Sequence, residues 1–316
     1  MMLYKLISPS MVKATIQLPA SKSISNRALI INALGKGIYP PENLSDCDDT
    51  QVMIKARMQQ RPIQILVNAL RELGAEIEYT HNEGYPPLRI KGAELKGNEI
   101  TLKGNVSSQY ISALLMIGPV LKDGLTLHLT GEIISRPYIN LTLQLMQDFG
   151  AKATWTSPSS ISVAPQPYQS VPFTVESDWS AASYWYQIAA LSPEAEIELL
   201  GLFRNSYQGD SRGAEVFSRL GITTEFTPQG VKIKKTGKAP ERLEEDFVDI
   251  PDLAQTFVVT CALLNIPFRF TGLQSLKIKE TDRIEALKTE LRKLGYVLTD
   301  RNDSILEWNG ERREPE

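Results

Sequence analysis

An internal repeat constrains what this chain can fold into more than any other feature. Four segments, LRELGAEIEYT, LMQDFGAKATWT, FSRLGITTEFT and LRKLGYVLTD, each run from the end of an amphipathic helix through a glycine into a short strand. The glycines are Gly74, Gly150, Gly221 and Gly295, spaced by 76, 71 and 74 residues. Each stands where a helix C-terminus needs a positive φ, which glycine adopts without strain. A second strand is expected after each, at Pro87 to Lys91, Ser160 to Ala164, Val231 to Lys235 and Ser304 to Trp308. Between copies come further strands, Glu99 to Lys103, Leu125 to Thr130, Glu196 to Gly201 and Pro267 to Thr271, and a helix from Ser107 to Val120. The repeating unit is therefore about βαβαββ.

The helices between the strands decide the fold class. ISALLMIGPVL at 111–121 and TFVVTCALL at 256–264 are apolar nearly all round, and a helix without a polar face is buried. This reads as an α/β (α+β) protein whose sheets wrap around central helices, rather than an open doubly wound sheet. At 316 residues the chain has room for two domains. A formal charge of −3 provides no broad basic field for nucleic acid or anionic lipid, so any anion site must be local. No apolar run reaches transmembrane length, and the N-terminus lacks a signal-peptide layout. Cys47 and Cys261 make no disulfide framework, and His81 and His128 are too few for a zinc site built on histidines. A cytoplasmic location is expected, with no nucleic-acid or membrane partner.

The repeat is broken once. A helix expected from about Asp48 in DDTQVMIKA runs straight into RMQQRPIQILVNALRELG, a second helix with Pro62 in its first turn, where a strand pair belongs. Part of a unit is therefore expected to be absent near Ala56 and Arg57. The chain stops in a similar way, soon after the strand ending at Trp308, and an intact architecture of this type is expected to continue further.

Five polar stretches fall at strand ends or helix starts. SKSISNR (21–27) places Lys22, Ser23, Asn26 and Arg27 at the head of an apolar helix, where backbone N–H groups and two cations form an anion site. The plain alternative is a capped helix with solvated charges. RMQQRP (57–62) sets cations, Arg61 among them, against the dipole at a helix start, which points to an anionic ligand. GNVSSQY (104–110) opens a buried helix with Ser107 and Ser108, either as phosphate-holding hydroxyls or as a serine N-cap. SRPYI (135–139) reads as a turn leading into a helix, and KIKETDR (277–283) is equally suited to a solvated ion-pair face. Asp252, in DIPDLAQ (249–255), stands at the mouth of an apolar helix as an acidic cap or as an acceptor for a substrate hydroxyl proton. The sequence holds no glycine-rich P-loop, dinucleotide fingerprint or metal-ligand spacing.

Taken in order, SKSISNRALI, GNVSSQYISALLM, SRPYI, RNSYQGD, DIPD and KIKETDR resemble the 5-enolpyruvylshikimate-3-phosphate synthase (3-phosphoshikimate 1-carboxyvinyltransferase) family along essentially the whole chain. SKS-x-SNRAL together with KETDR separates it from the sister enzymes acting on UDP-N-acetylglucosamine. The resemblance implies a two-domain enolpyruvyl transferase fold, an inside-out α/β barrel of repeated βαβαββ units, that closes around its substrates. A first domain is expected from Ala14 to Thr174, incomplete near residues 56/57. The second would comprise residues 1–13 and 175–316, incomplete at its C-terminus. Also implied is a cytoplasmic, monomeric enzyme of the shikimate pathway, serving chorismate and aromatic amino acid biosynthesis. It would transfer the enolpyruvyl group of phosphoenolpyruvate to the 5-hydroxyl of shikimate-3-phosphate, release phosphate and use no metal or organic cofactor.

The resemblance also carries roles onto matching residues. Lys22 would contact phosphoenolpyruvate and act in proton transfer, Asp252 would take the 5-hydroxyl proton, and Glu280 would serve at the enolpyruvyl carbon. Ser23, Arg27, Ser107, Ser108, Ser135, Tyr138 and Lys279 would bind shikimate-3-phosphate. Arg61 and Arg283 would hold phosphoenolpyruvate, and Gln109 would touch both. The family often has Asn where this chain has Ser275. Its glycine-rich, phosphoenolpyruvate-holding stretch would belong between Ala56 and Arg57, and its Asp-His-Arg motif and a late lysine beyond Glu316. The alternative reading is a catalytically inactive remnant that keeps the shikimate-3-phosphate half of the site, and a third is a related enolpyruvyl transferase with another acceptor.

Overall fold

The structure, a computed structural model, describes residues 9–35, 39–45, 62–133, 136–278 and 281–315. In chain order the elements are β1 (Met11–Gln17), α1 (Lys22–Leu34), α2 (Gln64–Glu72), β2 (Glu76–Tyr79), β3 (Leu88–Lys91), β4 (Glu99–Lys103), α3 (Ser108–Ile117), β5 (Leu125–Thr130), α4 (Arg136–Asp148), β6 (Ala153–Ser157) and β7 (Ser160–Val163). There follow α5 (Trp179–Leu191), β8 (Glu194–Leu200), α6 (Gly213–Arg219), β9 (Ile222–Thr227), β10 (Gly230–Lys235) and β11 (Leu243–Asp246). The chain continues through α7 (Ala254–Leu263), β12 (Phe268–Thr271), α8 (Arg283–Lys293), β13 (Thr299–Arg301) and β14 (Ile305–Trp308).

The repeat glycines end their helices as expected. Gly74, Gly150, Gly221 and Gly295 have φ of +99°, +83°, +85° and +86°. After α2, the Gly74 N–H donates to the Arg71 carbonyl at 2.9 Å and the Ala75 N–H to the Leu70 carbonyl at 3.0 Å. This paired bond satisfies carbonyls that the last helical turn leaves open. It recurs after α4, from Gly150 and Ala151, and after α8, from Gly295 and Tyr296. Asn265 does the same work after α7, at φ +57°, because its short polar side chain tolerates the left-handed region.

Three four-stranded sheets share one topology: β4-β5-β7-β6, β1-β8-β10-β9 and β11-β12-β14-β13. In each, the first two strands run parallel and the remaining pairings are antiparallel. Parallel neighbours need a crossover: α3 supplies it between β4 and β5 and α7 between β11 and β12, whereas between β1 and β8 the chain runs through residues 20–176 and then α5. The fourth copy differs. Among the described residues it consists of α2 and a two-stranded sheet, β2-β3, which is the second half of a unit. The helix expected in DDTQVMIKA lies outside the described residues.

The chain divides into two compact units, residues 20–176 and residues 1–19 with 177–316. The first crossing falls after Gln17 rather than near Ala14, because β1 pairs with β8 along its whole length, from Met11↔Glu194 to Gln17↔Leu200. The core of unit 20–176 includes Ala28 and Ile31 of α1, Leu114 and Leu115 of α3, and Ile139 and Met146 of α4. The other core is threaded by aromatic contacts. Ring centroids of Tyr186–Phe217, Phe217–Phe257, Phe247–Phe257 and Phe247–Phe270 lie 5.1, 4.2, 5.4 and 4.9 Å apart.

Two boundaries depart from expectation. Pro62 lies ahead of α2 and not in its first turn: Ile63 is the N-cap, at φ −127°, and its N–H is committed to the Gly84 carbonyl at 2.8 Å. The helix predicted to reach Val120 stays α-helical only to Ile117, and Gly118–Val120 form a 3-10 turn. Pro119 has no N–H for the next α-helical bond.

Candidate active site

In unit 20–176, SKSISNR sits where β1 hands over to α1. Ser21 occupies the N-cap position without a side-chain capping bond, and the first turn carries no acidic residue. The positive end of the helix dipole is thus left uncompensated by the helix itself, beside the exposed Lys22 and half-buried Ser23. Ser25 turns inward instead: its Oγ donates to the Ser21 carbonyl at 2.8 Å and accepts the Ser45 N–H at 2.9 Å.

Arg27 is the unusual group. It is 7% exposed, and its guanidinium donates to Thr142 Oγ1 at 2.7 Å, the Ser23 carbonyl at 2.8 Å and Ser112 Oγ at 3.1 Å. Thr142 and Ser112 are themselves 2.8 Å apart, and Thr142 Oγ1 donates to the Tyr138 carbonyl at 2.8 Å. All these acceptors are neutral. No carboxylate among the described residues lies within ion-pair reach of Arg27. Burial pulls its pKa down from 12.5 to about 10, with nearby Tyr138 opposing that shift weakly. An unpaired buried cation costs several kcal/mol, on the order of the penalty for any desolvated ion. The guanidinium fork retains further N–H donors for an anionic ligand.

Ser107, Ser108 and Gln109 begin α3. Ser107 is the N-cap, its Oγ accepting the Gln109 N–H at 3.3 Å, so the hydroxyl serves the helix without a short bond. Tyr138 lies half-buried in the first turn of α4. α3 and α4 thus bring Ser112, Tyr138 and Thr142 to Arg27. Ser112 and Thr142 were not anticipated; their only sequence signal is a hydroxyl among the apolar residues of a buried helix face.

The remaining described candidates lie in the other unit. Asp252 is in the 3-10 turn Pro251–Leu253 that leads into α7. Arg283 Nη1 donates to Asp252 Oδ1 at 3.0 Å and to Gln255 Oε1 at 3.4 Å. Asp282 caps α8, its Oδ1 accepting the Glu285 N–H at 3.1 Å, which fixes Arg283 as the first helical residue. Lys277 serves the surface: it pairs with Asp303 and lies 3.9 Å from Asp282, and the hydrogen bond it donates to Asp303 raises its pKa. Ser275 is 7% exposed and its Oγ has no hydrogen-bond partner among the described residues, an expensive state for a buried hydroxyl. Arg61, Ser135, Lys279 and Glu280 lie outside the described residues. No cluster of metal-ligating side chains occurs among the described residues.

Sheets of repeated βαβαββ units around buried helices, with a guanidinium buried in α1 that meets no carboxylate among the described residues, describe a two-unit α/β protein with a buried cation suited to an anion. The profile of one family, described as EPSP synthase (3-phosphoshikimate 1-carboxyvinyltransferase), matches residues 7–56 and 55–313. The chain belongs to this family. A Bacteroides fragilis protein (strain ATCC 25285) named 3-phosphoshikimate 1-carboxyvinyltransferase is 72% identical over 350 aligned positions, covering 99% of this chain and 85% of its own length. Its namesake in Haemophilus ducreyi is 32% identical, covering 93% and 82%. EPSP synthase from Acinetobacter baumannii has the same fold, with TM-score 0.74 at 18% identity over 95% of this chain and 82% of its own. The enolpyruvyl transferase NikO from Streptomyces tendae follows at 0.67, 13% identity, 94% and 81%. The profile match breaks at residues 55–56, and 350 aligned positions exceed the 316 residues of the chain. The B. fragilis protein therefore carries, within the matched stretch, residues that this chain lacks.

Proposed function

We propose that this chain is a 3-phosphoshikimate 1-carboxyvinyltransferase: it joins the enolpyruvyl group of phosphoenolpyruvate to the 5-hydroxyl of shikimate-3-phosphate and releases phosphate, acting as a cytoplasmic monomer. The observation that carries this reading is Arg27, a buried guanidinium held by neutral groups alone, which lacks the counter-charge that an anionic ligand supplies.

The roles follow from the chemistry. Two anionic substrates repel each other in a site of low dielectric, and fixed cations offset that repulsion. Arg27, Ser23, Ser107, Ser108, Ser135, Tyr138 and Lys279 hold shikimate-3-phosphate, and the orphan hydroxyl of Ser275 takes a polar group of the same ligand. Arg61 and Arg283 hold phosphoenolpyruvate, and Gln109 touches both. Asp252 takes the proton of the 5-hydroxyl as its oxygen bonds to the central carbon of phosphoenolpyruvate. Lys22 and Glu280 move the proton onto the methylene carbon and off again. Breaking the bond to the phosphate oxygen restores the double bond. Arg283 holds the Asp252 carboxylate in one orientation, which is worth most when the proton acceptor must meet a fixed hydroxyl. The test is phosphate release with both substrates and with each alone. The reading expects release only with both, and its loss in Lys22→Ala; release with phosphoenolpyruvate alone would refute it.

A further inference from the structure

By its place in the repeat, β3 is an inner strand that has lost a neighbour. In the three complete sheets the last strand of the unit, β7, β10 or β14, lies between two others. Its apolar side chains are closed off: Ile161, Ile233 and Leu306 are each 0% exposed. Among the described residues β3 pairs only with β2, and Ile90 is 64% exposed. The hydrogen-bond alternation tells which groups face the open side. The Thr80 N–H donates to the Pro87 carbonyl at 3.1 Å, so in the antiparallel ladder Arg89 and Lys91 face β2, and Leu88 and Ile90 turn their N–H and C=O groups to the other edge. No strand lies there among the described residues.

The complete copy nearest in sequence shows what fits. β3 reads Leu88-Arg89-Ile90-Lys91 and β10 reads Val231-Lys232-Ile233-Lys234. The third strands match as well: Tyr79 and Glu78 stand opposite Leu88 and Arg89, as Phe226 and Glu225 stand opposite Val231 and Lys232. On its far side β10 takes β8 antiparallel, with Glu196 opposite Lys234, Ile197 opposite Ile233, Glu198 opposite Lys232 and Leu199 opposite Val231. The Lys234 ammonium lies 3.4 Å from the Glu196 carboxylate. The Gly201 N–H donates to the Gln229 carbonyl at 2.8 Å, which makes Val231 and Ile233 the residues that bond to β8, in the positions of Leu88 and Ile90.

We propose that the open edge of β3 is a strand-acceptor site for an extended segment in which carboxylates alternate with branched aliphatic residues, added antiparallel. Main-chain bonds to Leu88 and Ile90 give the affinity, and Arg89 and Lys91 select acidic partners. A second copy of β3 is the poorer fit. An antiparallel register that sets Ile90 opposite Leu88 or Ile90 of the second copy places Arg89 opposite Arg89 or Lys91, a like charge.

The probe is a labelled peptide AEIELLG, the sequence of residues 195–201, titrated against the whole chain by fluorescence anisotropy. Saturable binding is expected, with the Leu88 and Ile90 amides protected from hydrogen exchange in the complex. Replacing both glutamates of the peptide by lysine should weaken binding by about tenfold or more through like charges across the strands. Ile90→Pro should abolish it while keeping the β2 ladder, since that N–H faces away from β2. The far-UV spectrum of the variant checks that it folds. Absence of saturable binding overturns the proposal, as does equal binding by Ile90→Pro or by the lysine peptide. A concentration-dependent dimer that excludes the peptide and is lost in Ile90→Pro would overturn it in favour of a second copy.

Discussion

Arg27 is a cation that burial penalises and that neutral groups alone hold among the described residues. Because its pKa falls from 12.5 to about 10 on burial, the folded chain binds fewer protons than the unfolded chain between those values. Stability therefore rises with pH through that window, and at neutral pH the buried charge works against folding. Arg27→Met should then leave the melting temperature unchanged or raised while shikimate-3-phosphate binding, read by calorimetry, is lost. A variant that melts early and still binds would make Arg27 structural. The parent's affinity should decline above about pH 10, where the guanidinium loses its proton. At Asp252 the expectation concerns rate: Asp252→Asn should lower kcat by about 10² to 10⁴, the usual worth of a positioned base. A change confined to KM would count against that role. Cys261 is a contrast, buried with its pKa pushed up to about 12, so thiol reagents should label it only after unfolding.

At the scale of elements, helix ends and most strands were open to reading because each obeys a local rule. Gly74, Gly150, Gly221 and Gly295 announce left-handed caps, and the apolar helices announce burial. The caps also differ in a way that can be measured. An alanine Cβ at Gly74 would meet nothing nearer than the Lys96 nitrogen at 3.8 Å, whereas at Gly221 it would meet the Gly237 carbonyl oxygen at 2.5 Å. Gly74→Ala should cost about 1–2 kcal/mol for the backbone conformation alone. Gly221→Ala should cost more, and urea unfolding of the two variants gives the comparison. β11 was invisible because LEED has neither alternation nor β-branched residues; it is held as a parallel edge strand by β12. The cradle of Arg27 was equally hidden: Ser112 and Thr142 lie 85 and 115 residues away in sequence, and helical periodicity says nothing about which buried hydroxyl meets which cation.

Across the whole molecule, three units repeat one topology and the fourth keeps only its second half among the described residues. The profile match breaks at 55–56, which is where the repeat pattern had already failed. Inserting the corresponding residues of the B. fragilis protein at that point should bury Ile90 and slow exchange of the Leu88 and Ile90 amides; unchanged exchange would mean that the segment packs elsewhere. The chemistry of this family member is the formation of an enolpyruvyl ether. Proton and phosphorus NMR of a mixture of the chain with shikimate-3-phosphate and phosphoenolpyruvate tests it most directly. New vinyl ether protons are expected to grow mole for mole with inorganic phosphate. Phosphate without a new vinyl ether, or no consumption of either substrate, would contradict it.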